Sequence, residues 1–431
     1  MLHVHGFTKP IEHSNPFTKE GDFMNPLYVG IDVSSKSNVV YLMLPNGDKH
    51  SNFSVTNSLD GSTQLVKRIL SALTSYSLDT VLIGLEATSV YGDNLVYFLR
   101  EDASLASFNR KIHVLNPKQV KKFKEAYNDL SKNDYVDSFV IADCLRFGRI
   151  NKEVYLGDYH YKALQNLTRA RFFAVNNLIK EKQRFMNVLF KKYSTMTQAK
   201  VFSDTFSATA LAVYDEFESA EALANMDLQE LTEFIIEKGK NRFPDPDTVA
   251  KAIQKAARSS YRLPKTVNDS VNQVLSISIT SMKALESQIK EFDKAISAQM
   301  ELLPNVLTSI PGIGPVFSAG IIAEIGDINR FENHAQLAKY AGLAWKQHQS
   351  GDFEAQNTRL IKSGNRFLKY YLCEAAFSLV RCDKEYKDFY HLKYKEVNRY
   401  QHKRALALTA RKFVRLVFAL LKDNRLYRPA E

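Results

Sequence analysis

Leu27-Tyr-Val-Gly-Ile-Asp-Val33 is a short run of apolar, β-branched and aromatic residues interrupted near its end by a carboxylate. Runs of this kind form strands, because such side chains fit a pleated, half-buried surface. A second run covers Asn38–Leu44, Pro45-Asn-Gly-Asp48 supplies a turn, and His50–Val55 follows, which predicts a three-strand meander. Helical spacing covers Ser62–Leu73. The predominantly apolar Thr80-Val-Leu-Ile-Gly-Leu85 then reads as a buried strand, the segment near Tyr91–Leu99 as a helix and Lys111–Leu115 as a strand. Strands alternating with helices predict an α/β domain with a mixed sheet.

Beyond Tyr161 the strand signals stop. Leu164, Leu167, Ala174, Leu178, Phe185 and Val188 fall on one stripe of a long helix. Val271, Leu275, Ser278, Met282, Leu285, Ile289, Phe292 and Ile296 step alternately by four and three, the heptad spacing of a coiled coil, paired either within the chain or between chains. Between these helices Val201–Thr266 reads as helical with a break at Pro244-Asp-Pro246, and carries no recognisable chemistry. A third region starts near Leu303, where Ser309-Ile-Pro-Gly-Ile-Gly314 separates two helical patterns. The expected fold class is therefore α/β plus α. Residues 1–26 are expected to form a flexible extension, 27–155 the mixed-sheet domain, 156–302 a helical coiled-coil region with an insertion, and 303–431 a mainly helical domain.

A chain of 431 residues can bury more than one core, which agrees with this division. Lys and Arg number 58 against 47 Asp and Glu, a net +11 that suits a phosphate-rich partner. From Lys393 onward eleven cations face three acids. Only Cys144, Cys373 and Cys382 occur, with no CxxC pair, which excludes a disulfide framework and argues against a zinc finger. No apolar run approaches the roughly 18 residues of a membrane span, and Met1–Met24 lacks a signal-peptide core, so a cytoplasmic protein is expected.

Two acids stand where packing has no use for them. Asp32 ends the first strand and Glu86 ends Val81-Leu-Ile-Gly-Leu85. Neighbouring parallel strand ends form the crevice where α/β sheets place ligands. Asn133-Asp-Tyr-Val-Asp137 opens a helix running to Phe147, and the three-residue spacing puts Asp134 and Asp137 on one face, with Asp143 turned away from Asp134. Helix capping and dipole compensation would account for two acids taken alone. Four converging carboxylates repel one another unless a cation sits among them, and hard oxygen ligands suit Mg²⁺ or Mn²⁺. Such ions can assist phosphodiester cleavage.

Tyr28-Val-Gly-Ile-Asp32, Gly84-Leu-Glu86-Ala-Thr-Ser-Val-Tyr91 and Lys132-Asn-Asp134-Tyr-Val-Asp137 resemble the acidic DEDD set of the RuvC-like, RNase H-fold domain of the insertion-sequence-110 family transposases, relatives of the Piv invertases. The C-terminal region resembles the same family's transposase domain in order and spacing. It does so through Leu307-Thr-Ser-Ile-Pro-Gly-Ile-Gly-Pro315, Phe331, Tyr340-Ala-Gly-Leu343, Gln349-Ser-Gly351 and Lys362-Ser-Gly-Asn-Arg-Phe-Leu368. The resemblance implies that Asp32, Glu86, Asp134 and Asp137 form a catalytic metal site and that Ser350 is the nucleophile of a covalent serine-DNA intermediate. It further implies strand exchange between element ends and target DNA, in a nucleoid-associated homo-oligomer whose acidic and serine sites come from different subunits. A structured guide RNA encoded by the element is implied by the resemblance alone. Asn133 and Ser138 depart from the family's usual Thr and Ala, and Val201–Thr266 is long for it.

Read without the resemblance, Ser350 is a loop serine with no convincing base beyond His348 two residues away, and Ser363 is its rival. Ile310-Pro-Gly-Ile-Gly314 is similar to a helix-hairpin-helix turn, in which Gly312 and Gly314 would let backbone N–H groups meet phosphate. Lys362, Arg366 and Lys369 would add phosphate contacts. Trp345 and Tyr340 fit base stacking or a core. Two other functions remain open. One is a Holliday-junction resolvase or RNase H-like nuclease, which needs the four acids and not Ser350; the other is a basic coiled-coil DNA-binding protein with no catalysis.

Overall fold

Gly30 and Gly84 are register partners on two neighbouring parallel strands, and the first unit is built around them. The computed structural model describes residues 25–86, 90–127, 130, 133–148, 159–303, 305–346, 349–350, 353–354 and 359–428. The chain divides into Met1–Tyr155 and Leu156–Glu431. In the first unit β1 (Pro26–Val33), β2 (Ser37–Met43) and β3 (Lys49–Thr56) form the meander. Helix α1 (Leu59–Ser75), β4 (Thr80–Glu86), α2 (Asp93–Glu101), β5 (Asn109–Leu115), α3 (Pro117–Lys124) and α4 (Asp134–Arg146) follow. The sheet order is β3-β2-β1-β4-β5, with β1 antiparallel to β2, β2 to β3, and β1, β4 and β5 mutually parallel. The mixed sheet expected from the sequence is present; α3, which the sequence reading passed over, is an addition.

Helix α4 lies across β1, β2 and β4. A Cβ on Gly30 would stand 2.0 Å from the Ser138 carbonyl oxygen and 2.5 Å from the Ala142 nitrogen. One on Gly84 would meet Leu145 and Ile141 at 2.9 to 3.1 Å. The two glycines thus form a seat that lets the helix backbone touch the sheet. Around the seat Val140 and Ile141 are buried with Leu115 and Val120. Asn133 caps the helix, its side chain accepting from the Val136 N–H at 2.8 Å. Asn is among the preferred helix-capping residues, which accounts for it here.

The second unit contains α5 (Tyr159–Lys192), then α6 (Ala208–Glu216), α7 (Ala220–Asn225), α8 (Leu228–Gly239), α9 (Pro246–Arg258) and α10 (Lys265–Met300). After these come α11 (Pro315–Ile325), α12 (His334–Tyr340), the two-residue strands β6 (Gln349–Ser350) and β7 (Phe353–Glu354), α13 (Arg366–Cys382), α14 (Lys384–Lys395) and α15 (Gln401–Asp423). Helices α5 and α10 run antiparallel along most of their length. His160 meets Gln299, Arg171 pairs with Asp293, and Lys182 pairs with Glu286. The heptad stripe of α10 is therefore applied to α5 of the same chain. Val271, Leu275 and Met282 enter one core with Phe185, Leu189 and residues of α6–α9. Ile296 enters another with Leu164 and α11, α13 and α15. Between the two cores Leu285 and Ile289 are only half-buried.

The insertion is helical as expected, and its break is explained by Asp245. That side chain caps α9 by accepting from the Thr248 N–H, with Pro246 at the first helical position. Lys192, fully buried, donates to the carbonyls of Tyr214 and Phe217 and so closes the C-terminus of α6. No helix among the described residues is long and apolar enough to cross a membrane.

Candidate functional site

The period of a strand and the period of a helix place the acids. Gly30 faces α4, so Asp32, two residues on, lies on the same face of the sheet, and Glu86 follows Gly84 in the same way. On α4, Asp134 and Asp137 precede Ser138 and Ile141 by four residues and share the sheet-facing side with them. The result is that single carboxylate oxygens of Asp32, Asp134 and Asp137 all lie within 4.8 Å of one another. Glu86 stands outside that trio but faces it. Burial first, then the charges of Asp32 and Asp137, raise its carboxyl above the usual range. Asp32 is raised likewise, first by burial and then by Asp134 and Asp137, with the Lys124 ammonium and a hydrogen bond from the Val33 N–H working the other way.

Lys124 ends α3 and donates to Asp137 at 2.6 Å. The sequence reading missed it, although the basic last turn Lys121-Lys122-Phe-Lys124 just upstream of the acidic motif was a visible signal. The glycine seat was missed too, and its signal is plainer: Gly-Ile-Asp32 and Gly-Leu-Glu86 are the same glycine-spacer-acid pattern on paired strands. Asp143 is buried away from the trio, held by Arg146 at 2.7 Å and by the Tyr127 hydroxyl. It is a satisfied core group, as its helical phase indicated. The donors of the trio are all carboxylate oxygens that repel one another. A hard divalent cation fits that set, and no thiol or imidazole joins it among the described residues.

In the second unit Ser350 pairs with Phe353 across β6 and β7. His348 lies outside the described residues, as do Ala87-Thr-Ser89 and Lys132 of the acidic motifs. Gly312 has φ +81°, and a Cβ there would meet Cys382 Sγ at 2.8 Å, while its carbonyl accepts from Ser378 at 2.7 Å. Packing against α13 thus requires this glycine. Gly314 is different: a Cβ there would meet nothing within 4 Å, and it opens α11 with Pro315 at the first position. Only a 3-10 turn, Leu307–Ser309, precedes the motif, so the first of the two expected flanking helices is short.

Lys362 and Arg366 are exposed, and the Arg366 guanidinium lies over the rings of Phe367 and Phe173. The turn carrying Lys362-Ser-Gly-Asn365 is held rigidly. Gly364 crosses Gly342 so closely that a Cβ would stand 2.5 Å from the Gly342 nitrogen. Asn365 caps α13 and donates to both Glu324 and the Tyr340 hydroxyl. Glu324, 2% exposed, also receives Arg169 through two nitrogens and Gln165. Tyr340 is therefore a framework residue, packed between Phe331, Arg330 and Asn365. Trp345 is half-buried and bridges to Leu360.

Comparison with known proteins agrees with both units. Residues 29–193 match a family profile described as a transposase, of the DEDD type of IS110 elements, and residues 305–391 match one described as "Transposase IS116/IS110/IS902 family". The protein of insertion element IS116 from Streptomyces clavuligerus is 27% identical over 76% of this chain and 80% of its own length. That of IS900 from Mycobacterium paratuberculosis is 23% identical over 94% and 98%. The transposase for insertion sequence element IS1111A of Coxiella burnetii is 29% identical over 37% and 44%. Two profiles of one family, met in chain order on the acidic half and on the serine half, leave a single assignment: this chain belongs to the IS110/IS116 family of insertion-element transposases.

Proposed function

We propose that the chain cleaves and rejoins DNA at the ends of an insertion element, using the carboxylates of the first unit as a divalent-metal site and Ser350 as nucleophile. The observation that carries this reading is the trio of carboxylate oxygens within 4.8 Å, with Glu86 facing it. Asp32, Asp134 and Asp137 would hold the ion, and Glu86 would complete the set. A Mg²⁺ or Mn²⁺ bound there would supply charge neutralisation to a reacting phosphodiester. Ser350 Oγ gives up its proton and bonds to phosphorus, and the displaced oxygen leaves as a hydroxyl after taking a proton. Exposed Lys362 and Arg366, with Lys369 and the open Gly314 N–H, hold the backbone phosphates. Gly312 shapes that turn from the α13 side.

The same reading divides the chain into 27–155 for the metal chemistry, 156–302 for the helical arm and 303–431 for the serine domain, and places its work on nucleoid DNA. Half-buried Leu285 and Ile289 on the α5–α10 pair support a homo-oligomer joined through that coiled-coil arm. The structured guide RNA rests on the family resemblance. The test is a denaturing gel of labelled element-end DNA incubated with protein and Mg²⁺. Wild type gives a protein-linked band, Ser350→Ala and Asp134→Ala do not, and Ser363→Ala retains it. Normal cutting by Ser350→Ala without any linked band would replace this reading with a metal-dependent nuclease of the resolvase or RNase H kind.

A further inference from the structure

Tyr400 adopts φ +54°, the left-handed region that glycine and asparagine enter easily and a bulky aromatic does not. It sits in the turn between α14 and α15, 80% exposed, and its side chain makes no hydrogen bond or ring contact among the described residues. An aromatic ring that gives the fold nothing is thus held in a backbone conformation that disfavours it. Such an outlier points to a use outside the fold.

The surroundings specify the use. Over Lys393–Arg404 five cations face one acid, which leaves +4. That acid, Glu396, takes Lys393 and Arg404 together and ties the end of α14 to the start of α15. Lys395, Arg399 and Lys403 remain exposed with no ion pair among the described residues. The tip is also stiff. The Tyr390 hydroxyl hydrogen-bonds His402 at 2.7 Å across the two helices, and Gln401 donates to the Tyr394 carbonyl. A solvent-facing ring on a braced turn, flanked by unmatched cations, matches the way proteins hold unpaired nucleotides, by stacking on the base face and neutralising the backbone on either side.

We propose that the α14–α15 tip binds single-stranded nucleic acid, with Tyr400 stacking on an unpaired base and Lys395, Arg399 and Lys403 holding the flanking phosphates. The proposal rests on the transposase reading, which supplies unpaired strands as substrates or partners. It adds a contact distinct from the metal site and from the Lys362–Arg366 turn.

The test is fluorescence anisotropy of the full chain with short labelled DNA and RNA single strands and with a duplex of the same sequence. Tyr400→Gly removes the ring and relaxes the backbone. It weakens binding of single strands roughly 5- to 150-fold, the range expected for loss of one stacked base, and changes duplex binding far less. Tyr400→Phe restores single-strand binding. The combined Lys395→Gln, Arg399→Gln, Lys403→Gln variant lowers the slope of log affinity against log salt by about 2. The DNA and RNA arms show which strand the tip prefers. Tyr400→Gly binding every probe as wild type does, with wild type binding normally, overturns this inference alone. Wild type binding no probe overturns the transposase reading as well. A second measurement uses unaltered protein: an iodouracil-substituted strand, photolysed on the wild type, crosslinks to the peptide bearing Tyr400, and its absence from the crosslinked fraction also overturns the proposal.

Discussion

The carboxylates of the two units live under opposite conditions. Glu324 is almost completely buried and fully satisfied, receiving Arg169 twice, Asn365 and Gln165. Asp134 is exposed, Asp32 and Asp137 are only partly buried, and the three crowd one another, with Lys124 on one of them and no other ion pair to the trio among the described residues. A charge taken wholly out of water must be paired, or its desolvation would undo the fold. A cluster left half-hydrated can stay mutually repulsive at modest expense, and that repulsion is what a cation relieves. The first arrangement holds a domain together, and the second is one that a bound cation would relieve.

The contrast is broken most forcefully at Glu324. Replacing it with Ala leaves Arg169 facing an uncompensated cavity and frees the Asn365 cap, at a loss of about 3–5 kcal/mol in urea unfolding of the second unit. A loss under about 1 kcal/mol would mean the network is dispensable. Next in size is Gly30→Ala. The added Cβ collides with the Ser138 carbonyl, so α4 must lift. We expect about 1–3 kcal/mol of destabilisation together with loss of Mn²⁺ binding in a calorimetric titration. Retained Mn²⁺ binding would show that the seat does not position the acids.

Asp134→Asn sharpens the other side. Relief of repulsion and loss of a favourable charge at the α4 N-terminus oppose each other, so metal-free stability changes by less than about 1 kcal/mol, while the Mn²⁺-induced rise in Tm disappears. Lys124→Met removes the cation that competes for Asp137. Its Mn²⁺ affinity rises roughly 2- to 5-fold, the scale of a partly exposed pair, and a fall would mean that Lys124 orients Asp137 for the metal instead.

A pH-dependent effect concerns a buried cation that has dipoles and no carboxylate as hydrogen-bond partners. Burial lowers Lys192 to about 8 from the usual 10.5, against the weaker pull of Asp215 and Glu218. Between those two values the unfolded chain keeps a proton that the folded chain has released, so wild-type stability rises with pH across that window. Below pH 8 both states carry the proton and this contribution is flat. Lys192→Met loses the rise, which thermal melts at pH 8 and pH 10 on both proteins would detect.

Much of the first unit was legible because local chemistry and tertiary demand coincide there. The meander, the apolar strand ending at Glu86 and the capped acidic helix all follow from period-two and period-3.6 patterns in few residues. Asp32 and Glu86 stood out because nothing in a buried strand calls for a carboxylate. Lys124 did not, since its role depends on α3 turning back toward α4, over a segment with no periodic signal. In the second unit Gly312 shows the limit. Its surroundings in sequence suit a phosphate-binding turn, but it is the Cys382 and Ser378 side chains, some seventy residues on, that require a glycine.

By itself, then, the sequence determined the mixed sheet, the acidic residues available to a metal, the α10 stripe and the family, because each is a pattern of residue types along one element. The tertiary structure decided which acids meet, that α10 spends its stripe on α5, that Glu324 is framework, and that Tyr400 stands free at a charged tip. Those outcomes depend on how closely two backbones approach and on which charges lose their water, and both are set only when distant segments come into contact.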